Sequence, residues 1–206
     1  MKIISTVLFA LFLLSGISFA QVGVSIGANV DKFQGNSEYD LHYRTGIAVG
    51  IYYDYPGSGF GFMPEILYSQ KGATFSSSTV VTGHLVTGDA TMKYDYIELP
   101  LLGKYSFEAL GNFRPFLLAG PYVGILINSK MSVLGTDQTL AQTALVESDI
   151  SDQQKFDFGI TFGGGVSYNL GKIGLNINFR YSIGMLNVDK ASLKNSGFSI
   201  MLGMLL

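Results

Sequence analysis

The chain has 206 residues, 48% of them hydrophobic and only 14% charged, with 26 glycines and no cysteine. Without cysteine there is no disulfide, thiol nucleophile or thiolate metal site, and a net charge of −2 gives no electrostatic basis for nucleic-acid binding. No segment after residue 20 has the roughly eighteen unbroken apolar residues of a membrane helix, so a chain this apolar has to hide its hydrophobic surface by another device.

The first twenty residues read as a secretory signal. Lys2 supplies the positive start, Val7 to Leu14 the short apolar core, and Ser18-Phe19-Ala20 the small residues of a cleavage site before Gln21. The apolar run is interrupted by Ser15 and Gly16 and is short for a membrane anchor. Residues 1–20 are expected to be removed, leaving residues 21–206 as one β-barrel domain of 206 − 20 = 186 residues with a net charge of −3 once Lys2 is lost.

From Gln21 to Val30, Val22, Val24, Ile26, Ala28 and Val30 alternate with Gly23, Ser25, Gly27 and Asn29. Period-two alternation puts one set on each side of an extended strand. A polar loop over Asp31–His42 precedes a second strand, Tyr43–Asp54, whose Arg44 lies on the small-residue side. Tyr55-Pro56-Gly57-Ser58-Gly59 is a tight turn, because Pro presets one dihedral and Gly tolerates positive φ. The third strand is predicted over Phe60–Lys71, with Glu65 on its small-residue side, and Gly72–Met92 reads as a long Ser/Thr/Gly-rich loop. Lys93–Tyr105 is the fourth strand, with Ile97, Leu99 and Leu101 facing away from Glu98, Leu102 and Lys104. Phe113–Ile127 is a fifth strand that is apolar on both parities, so its faces stay open.

Asn128–Lys155 is the longest predicted loop, and the clearest strand of all follows it at Phe156–Leu170. Its fifteen residues exceed an ordinary globular strand and match a tilted bilayer crossing of about ten residues with some overhang. Phe156, Phe158, Ile160 and Phe162 face one way; Asp157, Gly159, Thr161 and Gly163 face the other, and residues this small suit a narrow lumen. After a tight turn at Gly171-Lys172, the seventh strand, Ile173–Ile183, sets Leu175, Ile177 and Phe179 against Asn176, Asn178 and Arg180. A loop over Met185–Ser196 leads to an eighth strand ending at Leu206.

Connections thus alternate between long and short, which is the layout of an eight-stranded antiparallel transmembrane β-barrel in the outer membrane of a Gram-negative bacterium. Closure satisfies every backbone group, and the short turns face the periplasm. A soluble carrier barrel would need a charged exterior, whereas the non-apolar face here is mostly glycine. Pro64, Pro100, Pro115 and Pro121 fall within strands, although a closed barrel has no free edge for a missing donor. β-Bulges are the expected accommodation, foremost at Gly120-Pro121, with a barrel dented near the third to fifth strands as the alternative.

Several segments resemble the PorT-like outer-membrane β-barrel family of Bacteroidetes-type bacteria. They are Pro64 through Gly72 (PEILYSQKG), Tyr96 through Leu102 (YIELPLL), Arg114 through Pro121 (RPFLLAGP), and Asp157-Phe158-Gly159 leading into Gly163-Gly164-Gly165. The resemblance covers nearly all of the mature chain and implies the barrel fold, with the strand prolines as family features that favour bulges over a dent. One relative in that family is associated with secretion across the outer membrane, an activity the resemblance does not carry over.

Chemistry is sparse. The only histidines are His42 and His84, in or beside predicted loops, and a hydrolase would need His84 to meet Ser76–Ser78 and Asp89. Solvated loop histidines are the simpler reading. No metal pattern appears, Gly163-Gly164-Gly165 lacks the Lys-Ser/Thr of a phosphate loop, and no cofactor is expected. Tyr43, Tyr53, Tyr68, Tyr96, Tyr105, Tyr168 and Tyr181 fall near strand ends, as interfacial aromatic girdles require. The expected function is a non-catalytic structural or interaction scaffold displaying surface loops. Its partners would be outer-membrane lipid and an envelope or surface protein; a narrow porin-like pore or a surface enzyme using His84 are the alternatives.

Four charges share the small, inward parity. Counted from the periplasmic end, Glu65 stands about five residues high, Glu98 about seven, Arg180 about eight and Arg44 about ten, at roughly 3 Å per residue. Two carboxylates on neighbouring strands would repel in a narrow interior. Arg180 is expected to bridge Glu65 and Glu98, with Arg44 as a second cation, giving a salt-bridged plug. Charges lining a wet channel are the competing reading.

Overall fold

The computed structural model describes residues 22–35, 41–55, 58–81, 84–137, 143–149, 154–171, 173–188 and 193–205. The expected signal segment 1–20, Pro56-Gly57, Lys172 and Leu206 lie outside them. In chain order the strands are β1 (Val22–Gln34), β2 (His42–Tyr53), β3 (Gly59–Val81), β4 (His84–Ser106), β5 (Phe113–Asp137), β6 (Thr143–Asp149), β7 (Phe156–Leu170), β8 (Ile173–Gly184) and β9 (Lys194–Leu205). Their order in the sheet is β4-β3-β2-β1-β9-β8-β7-β5-β6, and β4 also pairs with β5. Eight strands therefore close into an antiparallel barrel, and β6 is a ninth that pairs with the upper half of β5 only, from Lys130↔Asp149 to Thr136↔Thr143.

Alternation in the sequence becomes sidedness in the wall. Ile26, Ile47, Ile51, Ile66, Ile160 and Phe179 are exposed on the outside, while Ser25, Asn29, Glu65, Asp157, Thr161 and Asn178 are buried within. An apolar exterior over a polar interior is the inverse of a soluble barrel and needs a hydrocarbon solvent. On β7 the inward glycines do more than save space. A Cβ on Gly163 or Gly165 would stand 2.2 Å from the carbonyl oxygens of Phe179 or Ile177 on β8, so only glycine lets these two strands approach so closely.

Strand β5 alternates after all. Phe116, Leu118 and Tyr122 are buried inward, and Leu117, Val123 and Ile125 are exposed outward. Its inner residues are apolar because Phe116 and Leu118 join Tyr52, Met63 and Leu102 in an apolar layer across the lumen.

Two expectations are corrected. Gly72–Met92 is not a loop: β3 and β4 remain paired up to Val81↔His84. Likewise Asn128–Asp137 continues β5, and Thr143–Asp149 forms β6 within the expected 128–155 loop. These outer halves carry Ser, Thr and Gly because beyond the bilayer no outward apolar face is required.

Bulges at the prolines are the second. The β5–β7 register passes from Gly120↔Thr161 to Pro121↔Ile160 without a shift. Shifts occur instead at Tyr43/Ala48 between β2 and β3 and at Asp95/Tyr96 between β4 and β5. What the prolines do is interrupt ladders. The β3–β4 ladder skips from Pro64↔Leu101 to Leu67↔Glu98, and the β4–β5 ladder from Pro100↔Tyr122 to Gly103↔Ala119. A proline lacks the N–H its neighbour needs, so bonds are lost without an inserted residue and the wall is dented rather than bulged.

Candidate functional site

The lumen is layered. At the short-turn end, Lys104 Nζ donates to both carboxylate oxygens of Asp54, at 2.6 and 2.7 Å, and lies 4.6 Å from the Phe116 ring centre. Above it sits the apolar layer of Tyr52, Met63, Leu102, Phe116 and Leu118.

The next layer is a chain of polar side chains along the inner face of β8. Asn176, Asn178 and Arg180 lie two residues apart, so all three point inward. Asn176 Nδ2 donates to the Tyr52 hydroxyl at 2.8 Å, Asn178 Nδ2 to Asn176 Oδ1 at 3.0 Å, and Arg180 Nε to Asn178 Oδ1 at 2.6 Å. The fork of Arg180 then crosses the lumen to β3, where Nη1 and Nη2 each donate to one oxygen of Glu65 at 2.7 Å. Both partners are buried, so the pair is desolvated and stands on its geometry.

Higher up, Lys71 Nζ lies 2.5 Å from Glu98 Oε1 and 3.5 Å from Asp157 Oδ2. It also stands 4.4 Å from the Tyr122 ring centre and 5.6 Å from that of Tyr96. Asp157 Oδ2 accepts from Tyr122 Oη at 3.1 Å and Asn195 Nδ2 at 2.8 Å. An apolar layer of Phe33, Ala73, Tyr94, Tyr96, Val188 and Leu193 covers this cluster on the loop side. Between the upper two ionic layers, an enclosed void of about 20 Å³ remains, bordered by Asn29, Asp31, Ser69, Glu98, Thr161 and Ser182. That is room for one water molecule.

Of the four charges singled out from sequence, Arg180 and Glu65 meet. Glu98 does not join them: its cation is Lys71. Arg44 stands apart, its electrostatic partners being Asp95 and Asp31 rather than Glu65 or Glu98. Lys71, Asp157 and Asn195 went unassigned, and only the inward parity of Lys71 and Asp157 could have pointed to them. Tyr96 is a lumen residue, fully buried, and not part of an outer girdle. Tyr105 and Tyr181 do lie in aromatic clusters, with Phe60 and Phe107 and with Phe162 and Phe198 respectively. Ser76 and Asp89 pair across the β3–β4 hairpin at a loose 3.4 Å, and the side chain of His84 lies outside the described residues. Among the described residues no three acidic or histidine side chains converge as a metal site would require, and no helix is long and apolar enough to cross a membrane.

The family described as outer membrane protein beta-barrel domain matches residues 15–190. No curated protein matches the chain. Among solved structures it is similar to Neisserial surface protein A, at 13% identity and a TM-score of 0.48 over 90% of this chain and 97% of that one. It is also similar to the attachment invasion locus protein Ail of Yersinia pestis, at 14% identity and 0.43, over 89% and 95% of the two chains. The N-terminal β-barrel domain of Pseudomonas aeruginosa OprF is more distant in shape, at 15% identity and 0.27, over 88% and 96%.

Proposed function

The chain belongs to the outer membrane protein beta-barrel domain family, and from that premise we propose a closed, non-catalytic scaffold that presents its outer strands and loops to an envelope or surface partner. The filled lumen carries this reading. Three ionic layers and two apolar ones fill it, and the void between the upper two ionic layers, about 20 Å³, is too small for a solute path. Conduction needs a continuous polar route, and each apolar layer would have to be wetted to provide one.

What the protein offers outward is sheet. Strands β3, β4 and β5 run 23, 23 and 25 residues, well beyond the roughly ten of a bilayer crossing. Strand β6 pairs on one side only among the described residues, and an exposed sheet edge is a surface to which an extended chain can add as a further strand. Outer-membrane lipid is the second partner, through the apolar exterior. Planar-bilayer recording tests the reading: the wild type is expected to give no steady unitary current. A steady current would replace the scaffold with the narrow-pore alternative.

A further inference from the structure

The dent in the wall has a shape of its own. Where the β3–β4 ladder skips Glu65, Ile66, Leu99 and Pro100, the outer surface carries a furrow of about 490 Å³. Its walls are Val22, Ile51, Tyr53, Pro64, Ile66 and Leu99. This volume lies within the range of roughly 300–1,000 Å³ typical of ligand clefts. The cause is local: Pro64 cannot project a long side chain, and Pro100 cannot donate to the strand beside it.

Three observations identify the occupant. The furrow is on the outward face, flanked by Ile51, Ile66 and Leu99, all exposed, so hydrocarbon and not water meets it. Its walls present aliphatic and aromatic carbon, with the Glu65 carboxylate turned inward to Arg180. It starts at the short-turn end, at the height of the Val22↔Tyr53 pair, and rises only past Ile51↔Ile66. That height belongs to the inner leaflet, given that short turns face the periplasm. We propose that this furrow is a specific seat for one acyl chain of an inner-leaflet phospholipid. The chain fills the space the interrupted ladder leaves and supplies the van der Waals contacts that the dented wall lacks. A second outward concavity, of about 560 Å³ between Phe60, Tyr105, Leu117 and Phe162, lies where no β3–β4 pairing is missing.

Native mass spectrometry tests the seat. Intact barrel, delipidated in detergent and then mixed with dipalmitoyl phosphatidylethanolamine, is expected to retain one lipid per chain. Leu99→Trp fills the furrow and is expected to lower retention about tenfold, a difference of about 1.4 kcal/mol. Ile200→Trp adds the same bulk on the outward face of β9, away from the furrow, and is expected to leave retention unchanged. Val22→Phe at the mouth serves as a second furrow variant if Leu99→Trp does not give the compact, heat-modifiable band on a gel. Equal retention by wild type and the furrow variants would mean adventitious lipid only and would overturn the proposal. So would a wild-type barrel that retains none.

Discussion

At Arg180 one guanidinium meets one carboxylate through two hydrogen bonds of 2.7 Å, whereas at Lys71 one ammonium is divided between Glu98 at 2.5 Å and Asp157 at 3.5 Å. Charge in the lower cluster balances within the pair, and the planar fork fixes its geometry. In the upper cluster two carboxylates contact one lysine, and the buried Asp31 is a third anion in its field. The cluster manages the excess with neutral donors, the Tyr122 hydroxyl and the Asn195 amide, and with aromatic faces around the ammonium. A compact charge on a flexible stem can serve two anions, which a fork committed to one cannot. Direction holds the lower cluster together, and shared charge the upper.

Removing the cations should separate the two designs. Lys71→Ala strands two buried carboxylates facing each other and should cost most, about 5 kcal/mol, at the top of the range for breaking a buried pair. Arg180→Ala strands only Glu65 and should cost about 3–4 kcal/mol. Urea unfolding in lipid vesicles, followed by the loss of heat-modifiable gel migration, ranks them. The reverse order would show that the upper carboxylates are neutralised by something other than Lys71.

The lower pair, being self-contained, should be replaceable as a unit. Arg180→Met combined with Glu65→Leu should lie within about 1 kcal/mol of wild type, because an apolar pair of similar volume avoids desolvation. A double variant as damaged as Arg180→Ala would tie this pair to the asparagine chain below it. Tyr122→Phe probes the neutral support of the upper cluster and should cost about 1.5 kcal/mol, the scale of one hydrogen bond to a charged group. Arg44→Ala removes a half-buried cation from the field of the buried Asp95 and Asp31 and should lower stability by about 1 kcal/mol in the same assay.

The fold was legible wherever the two faces of a strand met different media. Phe156–Leu170 and Ile173–Ile183 alternate between hydrocarbon and a small-residue lumen, and their faces can be read from residue parity. Phe113–Ile127 could not be read that way, because its inward Phe116 and Leu118 help build an apolar lumen layer. The outer halves of β3, β4 and β5 read as loops because strands in water need no apolar stripe.

At the site, parity found the inward charges but not their heights. Glu98 sits opposite Leu67 on β3, a full inward step above Glu65, and only the strand pairing reveals that. Parity sets Arg180, Glu65 and Glu98 all inward at middle height, which predicts a fork bridging both carboxylates and does not show that it meets Glu65 alone. Lys71 is the last residue of the predicted third strand, and parity alone does not tell an end residue at the rim from one inside the lumen. Prolines were the hardest to place: a bulge and a skipped ladder leave the same residues in the sequence, and only the register tells them apart.

The β3–β4 hairpin keeps one register from Gly59↔Ser106 at the periplasmic rim to Val81↔His84 at its tip. Its outer half is therefore the same object as the wall, without a hinge of loop between them. A pull along the strands at the tip loads the whole seam in shear, and many cross-strand bonds resist together where peeling would break them singly. The wall on the other side of β4 shares that load through its pairing with β5, which runs from Val86↔Asp137 down to Ser106↔Phe116. A force applied at the tip would thus be carried, through one pair of strands in a single register, to the rim where β3 begins.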